Sequence, residues 1–198
     1  VGERFNPQVN SIEQLSELIK KPKGCGEQNM YYMSFNLYTM MYLDKINKLD
    51  TKLRDKGVRY LKRALAQELN FRKNDGSFSA FFKRSSSVWL TGFVTKVLCQ
   101  SNQFIGYEMD PKIIISALKW LMDHQNDTGS WTEVHPILHE KALGGVQGQV
   151  PLTAYLVIAF SECRNYLNYH KINNSVIQLE ETLHKANSFM LKEWKLFK

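Results

Sequence analysis

A cysteine set between two glycines, with a glutamine three residues on, brings residue types and spacing together on covalent chemistry at Gly24-Cys25-Gly26-Glu27-Gln28-Asn29-Met30. Glycine on either side removes Cβ crowding and permits a left-handed backbone, so a tight turn can leave the sulfur accessible. A helix starting here would offer free N–H groups that stabilise a thiolate and lower the cysteine pKa. The same turn brings the side-chain amide carbon of Gln28 within reach of the Cys25 sulfur, close enough for a thioester with loss of ammonia. Spacing permits that bond without requiring it. The residues equally suit a small buried cysteine in a helix-entry turn. Glu27 belongs to the run but has no evident chemical role.

Other constellations are weaker. His135 and His139 lie four apart, with Glu140 adjacent, a spacing that suits a metal on a helix; Pro136 breaks the helix such ligation needs, so no metal is assigned. Cys25 with His139 has the residue types of a cysteine hydrolase, but no further hydrolase signature accompanies them. No cofactor motif is present. Trp89, Trp120, Trp131 and Trp194 read as core.

The elements that must position these residues are helices. Apolar residues recur at helical spacing along most of the chain, and strict strand-like alternation is nearly absent, so the class is all-α. Six helices are expected. The first runs from about Glu27 to Leu43, with Met30, Met33, Leu37 and Met40 or Met41 on one face, and the second from Thr51, its cap, to Asn70, with Leu61, Leu65 and Leu69 aligned. Gly57 inside the second weakens it. The third starts at Ser86 or Ser87 and reaches about Gln100. Asp110-Pro111 opens the fourth, Pro151 precedes the fifth, and the sixth covers about Ser175 to Trp194. Two turns resemble one another, Asn74-Asp75-Gly76-Ser77-Phe78 and Asp127-Thr128-Gly129-Ser130-Trp131, at a spacing of about 53 residues. A helix pair followed by a Gly-Ser-aromatic turn suggests stacked hairpins, with odd-numbered helices parallel in one layer and even-numbered ones in the other.

At 198 residues, 43% hydrophobic and 23% charged, the chain fits one folded domain and excludes disordered and collagen-like classes. Its longest apolar runs, such as Leu152 to Phe160, are too short to span a bilayer. The net charge of +7 is scattered rather than blocked, which makes nucleic acid an unfavoured partner. Val1-Gly2-Glu3-Arg4 is no signal peptide, so an excised fragment of a larger protein is expected. The sequons at Asn126 and Asn173 favour a secreted, glycosylated parent. Three cysteines leave one to be explained.

The heptad at 24 to 30 resembles the thioester motif of the complement and alpha-macroglobulin family, which includes the thioester-containing proteins. The likeness continues through Tyr42-Leu43-Asp44, Trp89-Leu90-Thr91, Trp120-Leu121, Gly144-Gly145 and Leu152-Thr153-Ala154-Tyr155, covering most of the chain from about Asn10. It implies an α/α toroid of helical hairpins, of which this chain resembles the amino-terminal part, with residues 1–198 forming one thioester-containing domain. It further implies a Cys25–Gln28 thioester shielded by other domains until proteolysis exposes it. In complement proteins a His shortly before a Gly-Gly pair acts on the thioester, and His139, before Gly144-Gly145, matches it; protease-trapping members often carry Asn there and react with amines. The resemblance thus implies an opsonin-like, extracellular protein that makes one ester per molecule with hydroxyls on a target surface. It is not a turnover enzyme. The alternatives are a protease-trapping endopeptidase inhibitor domain and a non-covalent binding module with a spent thioester. Family members have a disulfide in this region, though their cysteines do not align with these. Cys99 and Cys163 lie at depths differing by ~2 Å in neighbouring parallel helices, so they form a candidate pair, with two free thiols as the other possibility. The basic chain departs from the acidic concave face of vertebrate complement, so the receptors of that face are not carried over.

Overall fold

Helix-initiating side chains act where the sequence supplies them. In a computed structural model that describes residues 12–135, 137 and 148–196, Ser87 accepts from the Leu90 N–H to open one helix, and Asp110 accepts from Lys112 ahead of Pro111 to open another. The described residues form seven α-helices: α1 (Ile12–Glu17), α2 (Gly26–Lys45), α3 (Thr51–Glu68), α4 (Val88–Ile105), α5 (Pro111–Asp123), α6 (Gln149–Tyr169) and α7 (Asn173–Leu196). Among them there is no strand, only one antiparallel bridge between Arg72 and Phe78. No described helix is long and apolar enough to cross a membrane.

Several details differ from expectation. The short α1 was not foreseen, having too few residues to show a period. The cap of α3 is Asp50, which accepts from Leu53, while Thr51 is the first helical residue. The buried stripe of α3 is Leu61, Ala64, Leu65 and Glu68; Leu69, expected on it, is exposed because the chain tightens to a 3₁₀ turn at Leu69–Phe71. Helix α4 continues past Gln100 to Ile105 and stops at Gly106, whose φ is +50°. Trp89, Trp120 and Trp131 are buried, whereas Trp194 is 63% exposed.

The helices lie in two layers. Helices α2, α4 and α6 pack side by side, each pairs with its successor α3, α5 or α7, and α5 packs on α7. Contacts between α4 and α6 advance together along both helices: a Cβ on Gly92 would touch Leu156, Cys163 bonds Cys99 through sulfur, and His170, just past the end of α6, meets Asn102. The two helices are therefore parallel. Their disulfide spans Cα atoms 5.2 Å apart. From α2, Met30, Met33, Leu37 and Met40 are fully buried, each contributing about 1.5–3 kcal/mol through area removed from water.

The two similar turns are structurally equivalent. Ser77 and Phe78 are fully buried, as are Ser130 and Trp131, and the backbone N–H of the aromatic residue donates in each case to a threonine hydroxyl in the next helix of the first layer, Thr91 at 3.0 Å and Thr153 at 3.1 Å. Gly76 (φ +95°) and Gly129 (φ +91°) press against the backbones of α5 and α7, where a Cβ would come within 2.7 Å of Ser116 and 2.3 Å of Lys185. Each turn thus locks one hairpin to the next.

Candidate functional site

Helix α2 begins at the glycine-flanked cysteine. Cys25 is the N-cap, with extended backbone (φ −72°, ψ 176°). Cys25 and Gln28 face each other as a capping box: the cysteine side chain meets the Gln28 N–H, and Gln28 Oε1 accepts from the Cys25 N–H at 3.4 Å, the long end of hydrogen bonding. In the usual capping box a Ser or Thr hydroxyl and a Glu or Gln fill these positions. Here the pair is a thiol and a carboxamide, the two partners a thioester joins.

The glycines make this apposition possible. Gly24 has φ +94°, and a Cβ there would fall 2.1 Å from Gln28 Oε1. At Gly26 a Cβ would meet the Ser79 carbonyl at 2.9 Å and Glu68 Oε1 at 3.2 Å. The turn is fastened on three sides. Gly26 N–H donates to the Ala80 carbonyl (2.9 Å), Gln67 Nε2 donates to the Gly24 carbonyl (2.9 Å), and Asn29 Nδ2 donates to both Ala64 O (2.9 Å) and Glu68 Oε2 (2.8 Å).

Burial distinguishes the two residues. Cys25 is 6% exposed and outside the disulfide, while Gln28 is exposed. The turn thus sets a buried thiol beside an exposed carboxamide-bearing residue. Glu68, fully buried beneath the turn, has its pKa pushed up to about 8 by desolvation, against which the Asn29 hydrogen bond works. Its Oε1 has no hydrogen-bond partner.

Glu27 is buried and lines a cleft of about 270 Å³ with Ala80, Lys83, Arg84, Ser87 and His135. His139, Gly144 and Gly145 lie outside the described residues. Of the two sequons, the Asn126 amide is engaged within its own turn, donating to Ser130 Oγ and Thr132 Oγ1, while Asn173 is exposed at the start of α7. Among the described residues, no three His, Cys, Asp or Glu side chains converge as metal ligands.

Sequence reasoning missed the support beneath the turn. Gln67 and Glu68 escaped notice, yet a signal existed: an acid falls on the apolar stripe of α3, seven residues after Leu61, where it must be buried.

A comparison with protein families matches residues 1–196 to the A-macroglobulin TED domain. The chain is 36% identical to venom factor from Crotalus adamanteus over 195 residues, 94% of this chain. It is 35% identical to complement C3 from Lethenteron camtschaticum over 184 residues, 86% of the chain, and 38% identical to complement C3 from Eptatretus burgeri over 154 residues, 76% of it. The chain spans only 11% of the length of the first two and 9% of the third.

Proposed function

Because the chain belongs to the A-macroglobulin TED domain family, in its complement C3-like branch, we propose that it forms an internal Cys25–Gln28 thioester and uses it once, to esterify hydroxyls on a target surface near the site of activation. The observation that carries this reading is the capping box of Cys25 and Gln28, closed by two glycines that admit no Cβ.

The chemistry follows from the parts. In the thioester, the Cys25 sulfur replaces the amide nitrogen on the former Gln28 carboxamide carbon. On exposure, neutral His139 attacks that carbonyl; the carbon–sulfur bond breaks and the electron pair leaves with the Cys25 thiolate, giving an acyl-imidazole. The thiolate then takes the proton of an incoming hydroxyl as its oxygen displaces the imidazole. An ester on residue 28 and a free Cys25 thiol result. The position of His135 in a cleft with Glu27 of the motif supports this role. Water competes for the acyl group, so the tag stays near its origin. Other domains of a secreted parent would shield the bond beforehand.

The test is the intact mass of the parent protein before and after methylamine, with free thiols counted at both stages. One methylamine gained and one thiol released, mapped to Gln28 and Cys25, is the expected result. An unmodified carboxamide at Gln28 with no adduct would overturn the covalent reading. Substituting glycerol for methylamine then separates hydroxyl attachment from protease trapping, and His139→Asn should shift preference toward the amine.

A further inference from the structure

Beside the acyl group lies an open cleft of about 570 Å³ lined by Lys20, Lys21, Lys23, Arg63, Tyr32 and Gln67, together with Pro22 and Gly24. Among the described residues no acidic side chain lines it, and none of the four cations is in an ion pair. The segment carrying the lysines is built in place. Asn36, fully buried in α2, clamps Lys20 from both sides, accepting from its N–H and donating to its carbonyl, each at 2.9 Å. Ile19 and Pro22 are buried on either side. The Lys23 ammonium stands 6.0 Å from the Tyr32 ring, and Tyr32 is one turn beyond Gln28 on the same face of α2. Gly24 belongs at once to the cleft and to the reactive turn, where it abuts Gln28 Oε1. Four like charges gathered around one cleft, with no counter-charge among the described lining residues, repel one another, and an anionic ligand relieves that cost.

We infer that this cleft holds a phosphate group of the acceptor, so that the preferred target is a phosphate-bearing polyol or glycan whose neighbouring hydroxyl is delivered to the acyl carbon of residue 28. This rests on the thioester reading above and adds the acceptor's chemical class. The bond changes are those already given: the hydroxyl oxygen takes the acyl group, its proton goes to the Cys25 thiolate, and the phosphate is held without reacting.

The experiment compares glycerol with glycerol 3-phosphate as acceptors for the activated parent protein, reading adducts at Gln28 by mass, with methylamine in parallel. Glycerol 3-phosphate should react about tenfold faster at low ionic strength. The ratio should approach one near 1 M NaCl, where charges are screened beyond about 3 Å. Lys21→Gln with Lys23→Gln should bring it toward one at low salt, whereas Lys119→Gln, on α5 and paired with Asp123, should leave it high. Added inorganic phosphate should lower the ratio by competition. A methylamine adduct with equal rates for the two acceptors, or an equal loss from Lys119→Gln, would overturn the inference alone. No methylamine adduct, with residue 28 still a carboxamide, would remove the thioester reading and this inference with it.

Discussion

A methyl group at residue 24 would occupy the place of the Gln28 side-chain oxygen. Gly24→Ala combines that overlap with a left-handed backbone that alanine resists, so the variant should fold yet fail to close the thioester, releasing no thiol on methylamine treatment. Normal thiol release would show that Gln28 has another route to the sulfur. Glu68 tests the support beneath. Its pKa is raised from 4.5 to about 8, so the folded state holds the proton more tightly than the unfolded chain. The stability it contributes is fully present below about 4.5 and lost as pH rises through about 8. Glu68→Gln keeps an acceptor for Asn29 and removes the titration. It should raise stability by about 2–4 kcal/mol at pH 8 and change little at pH 4, as urea unfolding would show. An equal effect at both pH values would mean that the carboxyl is not held neutral by burial.

Gly129 shows what a single turn does between elements. Gly129→Ala would place a Cβ 2.3 Å from the Lys185 carbonyl of α7, in backbone that cannot yield as a side-chain tip can. A loss of about 2–4 kcal/mol is expected in urea unfolding, and a neutral outcome would mean that the hairpins are not locked there. Both turns were legible because their chemistry is local: glycine for left-handed backbone, serine and an aromatic to bury. The starts of α4 and α5 were legible for the same reason, since Ser87 and Asp110 carry their caps on their own side chains. What the sequence concealed depends on distant partners. Gly57 looked like a flaw in α3, but it faces Met40, where a Cβ would lie 2.2 Å from sulfur, and lets α2 and α3 approach closely. The clamp of Gln67, Glu68 and Ala80 around Cys25 joins residues from α3 and a later loop, and no local pattern announces it.

Across the whole molecule, hairpin order and layer parity followed from helical periodicity and the repeated turn, and neighbouring parallel helices then put Cys99 opposite Cys163. Net charge was legible too, but its placement was not: the sum of +7 does not reveal that four cations gather beside Gln28. The disulfide has a topological meaning. With a separation of 64 residues, it turns the stretch from 99 to 163 into a covalent ring containing the end of α4, all of α5 and most of α6. A protease cut at any one point inside that ring leaves both products tied together. A singly nicked chain should therefore migrate as one species on a denaturing gel without reductant and as two with it. A target esterified at residue 28 would keep both pieces after such a nick, so its tag would shed mass only after a second cut or a reductant.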